Sequence, residues 1–148
     1  EEKDVFLETK EIIENSYEEM KNNVTPKFNI CLSEYIDKIS GGKYNNIKIN
    51  DGIQVELTNG KLIPIEKLSE GTIEQIYLAL RLSVIDQISK EKLPIFLDET
   101  FAYYDDERLA ATLKFINSVQ NQAIIFTCTN RETEILEQLG IEYNLIGL

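Results

Sequence analysis

Residues 93–99 read Leu93-Pro94-Ile95-Phe96-Leu97-Asp98-Glu99, a short apolar run that ends abruptly in two carboxylates. Runs of this kind, continuous rather than alternating, belong to strands covered on both faces. Around it the last third of the chain alternates strand and helix. Strands are predicted at Ile95–Leu97, Ala123–Cys128 and Tyr143–Ile146, with helices over about 106–119 and 131–139. Leu109, Leu113 and Ile116 give the first of these helices an apolar face, and Gly140 marks the end of the second. Buried strands separated by helices imply a parallel sheet and an α/β fold. In open sheets of this class ligands sit beyond the carboxyl ends of the strands, where Asp98 and Glu99 fall. An acid in that place can hold magnesium through water, and its neighbour can orient and deprotonate an attacking water. Two acids that merely cap the following loop are the plainer alternative, and it stays open at this point.

Upstream, residues 68–75 read Leu68-Ser69-Glu70-Gly71-Thr72-Ile73-Glu74-Gln75 and open a helix predicted over 72–89. Ile73, Ile76, Tyr77, Leu80, Val84 and Ile88 form its apolar stripe, thickened by Leu78, Leu82 and Ile85. Thr72 and Gln75 have capping-box spacing. A Ser hydroxyl, a Gly amide and a helix N-terminus together suit an anion, and Gly71 would let backbone approach a phosphate. A plain helix cap with a turn glycine is the competing reading. Before this come three short strands, with Asp51-Gly52 and Asn59-Gly60 as turns and Pro64 pointing to an edge. The chain starts with a helix over 4–22, in which Phe6, Ile13, Tyr17, Met20 and Val24 follow a near-heptad seam. The spacing fits a coiled-coil stub or a helix lying on the body. Thr25-Pro26 is a restart signal, so a second helix is expected from Pro26 to Ile39, stopped by Gly41-Gly42.

The chain holds 148 residues, about one domain's worth, and contains no His. That excludes His-based nucleophile activation and most zinc sites, so catalysis must rest on carboxylates, hydroxyls, amides and bound metal. A net charge of −11 repels phosphate backbones, so this lobe is not expected to grip nucleic acid by itself. No apolar run approaches the ~20 residues of a membrane span, and the acidic start is unlike a signal peptide. Cys31 and Cys128 read as two buried thiols in a reducing, cytoplasmic setting. Arg81, on the buried helix, is expected to pair with an acid, and Tyr103 and Tyr104 to pack against a partner or shield their loop.

Taken in order, Ser69-x-Gly71-Thr72 opening a helix, Ile95-Phe96-Leu97-Asp98-Glu99 ending a strand, Tyr103-Tyr104-Asp105 and the strand Ile124-Ile125-Phe126-Thr127 resemble the C-terminal lobe of ABC-type ATPase heads. The likeness is to the SMC-like subgroup, whose head is split by a long coiled coil, and within it to YhaN-like bacterial coiled-coil ATPases. It covers about residues 26–130. It implies a helical arm at 1–25, the end of a coiled coil, and an ATPase lobe at 26–148. The lobe would have the parallel-sheet core of a P-loop NTPase and an antiparallel meander. It further implies that LSEGT is the signature motif, that Asp98 holds Mg2+ and that Glu99 is the catalytic base. Ser69, Gly71 and Thr72 would contact the ATP of an opposite head, with Asp105 at the D-loop and Thr129 at the switch position also serving the nucleotide.

This sequence departs from the pattern twice. There is no G-x-x-x-x-G-K-[ST]: five residues before Gly42-Lys43 stands Asp37, and Tyr44 follows where Ser or Thr would bind magnesium. In the family that loop lies in an N-terminal Walker A lobe across the coiled coil. The resemblance therefore implies a longer polypeptide, an inactive isolated lobe and a homodimer of heads. DNA is compatible with the whole protein, and DNA repair or chromosome maintenance with its role. At the switch, Thr129 stands in place of the usual His, which puts the rate of hydrolysis in question. A metal-dependent phosphodiesterase using Asp98, Glu99, Asp105 and Asp106, and a non-catalytic dimerisation lobe, are the alternatives. Open sheet edges make self-association of the isolated chain an expectation.

Overall fold

A computed structural model describes residues 2–49 and 52–147, with side chains described at residues 10–16, 26–49 and 52–147. Helix α1 spans Glu2–Ile39, followed by strands β1 (Tyr44–Ile49), β2 (Ile53–Leu57) and β3 (Leu62–Pro64). A 3₁₀ turn at Ile65–Lys67 leads into α2 (Glu70–Ile88). Then β4 (Ile95–Asp98), α3 (Asp106–Val119), β5 (Ala123–Phe126) and α4 (Arg131–Leu139) alternate. The first three strands form an antiparallel sheet in the order β1-β2-β3, and β4 and β5 pair in parallel with Asp98 level with Phe126. The α/β class, the meander and the parallel pair are therefore as the sequence implies.

The meander folds as its alternation dictates. Ile47 faces Val55 across the β1–β2 ladder, both are buried, and β1 lies against α1. β3 ends at Pro64, which cannot donate to a ladder, and it forms one edge of the sheet. The core then continues through Leu32, Ile36 and Ile39 of α1, Ala79 and Leu82 of α2, and Leu109 and Leu113 of α3. α1 packs on β1, α2 and α3, while α4 packs on α3. Gly41, at φ 65°, ends α1 in the left-handed region that a side chain would resist.

Four expectations are corrected here. The predicted break at Thr25-Pro26 does not occur, because α1 runs unbroken through Pro26. Proline removes only one bond of a ladder that the rest of a 38-residue helix maintains. Of the near-heptad seam, Ile13 is exposed, while Phe6, Tyr17, Met20 and Val24 lie outside the described side chains. The buried face of α2 is rotated from the predicted stripe. Thr72, Gln75, Ala79 and Ser83 face inward together with the predicted Ile76, Leu78 and Leu82, whereas Tyr77, Val84 and Ile88 are exposed. Polar Gln75 and Ser83 can be buried because Gln75 donates to the Ile39 carbonyl (2.8 Å) and Ser83 to the Ala79 carbonyl (2.8 Å). The same bonds of Gln75 mean that Thr72 and Gln75 form no capping box. Residues 143–146 form no strand: no described residue pairs with them, and Leu145 and Ile146 are exposed.

Candidate nucleotide site

Two clusters of side chains lie at the starts of α2 and α4. The first is the turn into α2. Ser69 has extended backbone geometry, φ −70° and ψ 152°, so the helix begins one residue later at Glu70. Its hydroxyl makes no bond to the helix backbone; it pairs instead with Thr72 Oγ1 at 2.9 Å. Thr72 is buried and also accepts from Arg108 Nη2 at 3.3 Å. Arg108 in turn lies 3.3 Å from the Asp105 carboxylate, and its backbone N–H donates to that carboxylate at 2.8 Å. Asp105 is thus the cap of α3, which satisfies an N–H that a helix start leaves unbonded.

Gly71 is required for a different reason from the one the sequence suggests. A Cβ built there would lie 2.4 Å from the Tyr103 carbonyl oxygen and 2.6 Å from Arg108 Nη1. The glycine is buried beneath residues 103–108, and that packing fixes its size. Tyr103 is itself exposed, while the Tyr104 ring is buried and leans on Phe101 with centroids 5.4 Å apart.

The second cluster sits where β4 and β5 end side by side. Asp98 is exposed at the tip of β4. Glu99 follows with φ 45°, the one non-glycine residue with positive φ among those described. A long side chain held in that region costs on the order of 1–3 kcal/mol and persists only where its surroundings over-determine it. Here they do so at both ends of the residue. The Glu99 N–H donates to the Phe126 carbonyl at 3.0 Å, and Glu99 Oε1 accepts from the Cys128 N–H at 2.8 Å. The carboxylate of Glu99 beside it pushes the Cys128 thiol above its usual range. Cys128 is exposed and Cys31 half-buried, which corrects the expectation of two buried thiols.

Thr129 does not stand free. Its hydroxyl donates to Glu132 Oε2 at 2.7 Å, and Thr127 donates to the same oxygen at 2.9 Å. Burial raises the Glu132 carboxyl, but the hydroxyls of Thr129 and Thr127 and the cation of Arg131 outweigh it. The net shift is below the ordinary Glu range. Arg131 lies 3.6 Å from Glu132 and donates to the carbonyls of Tyr104 (2.8 Å) and Phe101 (2.6 Å). Arg81, expected to pair with an acid, is exposed and in no ion pair among the described residues.

Sequence reasoning passed over Arg108, Arg131 and Glu132. Two of them carry a local signal. Arg108 lies three residues after Asp105, the spacing of a cap with its ion pair, and Thr129-x-x-Glu132 has the spacing of a capping box. Arg131 carries none, because its partners are backbone carbonyls nearly thirty residues away. Among the described residues no cluster of three or more Asp, Glu or Cys side chains is placed to hold a metal, so the acids 98, 99, 105 and 106 do not converge. A magnesium ion held by one or two carboxylates together with phosphate oxygens needs less, and exposed Asp98 fits that role.

No family model matches the chain. It is 31% identical over 126 residues to the uncharacterised protein YhaN of Bacillus subtilis, a match covering 80% of this chain and 13% of YhaN. It is 23% identical over 133 residues to the DNA double-strand break repair Rad50 ATPase of Saccharolobus solfataricus, covering 90% of this chain and 15% of Rad50. Among solved structures, an SMC ATPase characterised for ATP-driven dimerization and DNA-stimulated activation superposes with a TM-score of 0.61 at 19% identity. That match covers 78% of this chain and 77% of the other. The Smc head domain of Pyrococcus furiosus, solved with an extended coiled coil and bound to the C-terminal domain of ScpA, gives 0.60 at 20% identity, covering 90% of this chain and 37% of the other. The chain is a C-terminal lobe of the SMC-like, ABC-type ATPase head fold. The lobe spans only about an eighth to a seventh of the length of the curated relatives it matches. Among its described residues no helix is long and apolar enough to cross a membrane.

Proposed function

We propose that this lobe supplies half of an ATP-hydrolysing head, working with a P-loop lobe that carries the nucleotide. Glu99 is the base that orients and takes a proton from the attacking water. Asp98 holds Mg2+, which when bound supplies positive charge against the phosphate oxygens. Exposed Ser69 presents the start of α2 to the ATP of an opposite head, where the first N–H groups and the helix dipole favour an anion, and buried Gly71 and Thr72 hold that turn against residues 103–108. Asp105 acts by capping α3 and holding its loop. Two such heads close on ATP as a homodimer, and DNA is compatible with the whole protein but not with a grip by this acidic lobe.

The single observation that carries this reading is Glu99. A carboxylate at the tip of β4, a strand with one face buried and the Phe96 face exposed rather than covered on both faces, is held in a costly backbone conformation, with one oxygen fixed by the Cys128 N–H. Strain of that kind is retained where geometry matters to chemistry. The exposed faces of Phe96 and Phe126 and the exposed side of α2 fit cover by the companion lobe.

A second reading, a lobe that dimerises on ATP without turning it over, is favoured by Thr129 alone. Its hydroxyl proton is given to Glu132, so it does not replace a cationic switch residue. One comparison in the full-length protein separates the two. Glu99→Gln should retain ATP binding and stall hydrolysis, and Ser69→Arg should prevent ATP-dependent dimers. Undiminished turnover in Glu99→Gln would refute Glu99 as the base. Absence of turnover in the unaltered protein, with ATP-dependent dimers intact, would favour the second reading.

A further inference from the structure

The two clusters are joined through residues 101–105, and two arginines do the joining. From the α4 side, Arg131 donates to the carbonyls of Phe101 and Tyr104. It also pairs with Glu132, which gathers the hydroxyls of Thr127 and Thr129 on either side of Cys128. The Cys128 N–H then holds Glu99. From the α2 side, Arg108 grips Asp105 and reaches Thr72, which pairs with Ser69. Gly71 lets the helix start lie directly against the Tyr103 carbonyl. The path from Ser69 to Glu99 is therefore an unbroken series of hydrogen bonds, ion pairs and a five-residue segment.

We infer that Arg108 and Arg131 are positioning residues that brace residues 101–105 from opposite sides and so couple the signature turn to the base. The inference rests on the function proposed above but can fail separately from it. Arginine suits the task because its planar fork spans two acceptors at once: two carbonyls for Arg131, a carboxylate and a hydroxyl for Arg108. Lysine, a point charge without that fork, cannot reproduce both bonds in the same geometry. Neither arginine needs to touch ATP or water. A phosphate delivered to Ser69 accepts from its hydroxyl and so competes with the bond between Ser69 and buried Thr72, whose oxygen Arg108 holds, and the segment behind Arg108 leads to Glu99.

The test is residue-resolved hydrogen exchange on the full-length protein, with Arg108→Gln and Arg131→Gln singly and together. A coupled brace predicts at least tenfold faster exchange of both the Cys128 and the Thr72 amides in each single variant. The double variant should exchange no faster than the faster single one. Loss confined to Cys128 in Arg131→Gln and to Thr72 in Arg108→Gln would overturn the coupling. The kinetic arm uses the same variants: kcat for ATP falls about tenfold in each, KM stays within twofold, and the double variant is not slower than the slower single. A hundredfold, multiplicative loss would show two independent sites and overturn the brace. Should Arg131→Gln fail to fold, Arg131→Lys is expected to fold and to give an intermediate loss, and wild-type exchange and rate in it would overturn the role. If the unaltered protein does not hydrolyse ATP, the proposed function fails while the exchange arm still decides the brace.

Discussion

Gly71→Ala separates two reasons for a glycine, and the structure commits to one. The residue is helical, so alanine gains the intrinsic preference of a helix interior, about 0.5–1 kcal/mol. Against this, the new methyl would sit 2.4 Å from the Tyr103 carbonyl oxygen and 2.6 Å from Arg108 Nη1. Arg108 can swing away at the loss of its bonds to Thr72 and Asp105, but the carbonyl moves only if residues 101–105 move. Overpacking of this sort costs roughly 1–3 kcal/mol. The net expectation is destabilisation by about 1–2 kcal/mol. With a urea m-value of about 1–3 kcal/mol/M, the midpoint should fall by about 0.3–2 M at unchanged slope. Adding Arg108→Ala should recover little of that loss, because the carbonyl is the nearer and stiffer obstacle. A Gly71→Ala chain as stable as the original, or more so, would refute the packing argument and restore the view that the glycine serves an approaching phosphate.

Three further outcomes follow from single features. Glu99→Asn and Glu99→Gln both remove the charged acceptor of the Cys128 N–H, but only asparagine tolerates positive φ, so Glu99→Asn should exceed Glu99→Gln in stability by about 1 kcal/mol, about 2–4 °C in melting temperature; equal melting points would count against strain at Glu99. Glu132 has a depressed carboxyl, so its contribution is present above the unfolded Glu pKa and is lost as pH falls through the lower folded value. The stability gap between the original chain and Glu132→Gln, from urea midpoints at several pH values, should be widest near neutrality and shrink below the ordinary Glu range; a constant gap would contradict the shift. Ile36→Ala, at a fully buried position, should cost about 2–5 kcal/mol, whereas Ile13→Ala, 63% exposed, should stay within about 0.5 kcal/mol by the same measurement.

Much of the architecture was legible because local signals agreed. Helices 106–119 and 131–139 fall where amphipathic spacing, the acids after Asp105 and Gly140 place them, and the meander follows its turns. The pair Asp98-Glu99 does end a strand beside β5. What misled was reading apolarity as burial. In α2 the core takes Thr72, Gln75 and Ser83, whose hydrogen bonds are made to distant or local carbonyls that no periodicity reveals, and leaves Tyr77, Val84 and Ile88 outside. Pro26 misled similarly, since a long helix absorbs one missing bond. At the site, Ser69, Gly71 and Thr72 are together as expected, but their neighbours Arg108 and Tyr103 become visible only in three dimensions. The same holds for Arg131, whose hydrogen-bond acceptors are the distant main-chain oxygens of Phe101 and Tyr104.

The backbone of Glu99 carries a consequence beyond this molecule. At a position where asparagine or glycine would sit at ease, glutamate carries a backbone cost that the catalytic role proposed for it would explain. Once a gene copy is released from that demand, drift has a downhill direction at residue 99, and every small gain in folding favours the exchange. On the role proposed for Glu99, asparagine or glycine directly after the strand-end aspartate would mark a descendant that has given up turnover, legible from the gene without any assay.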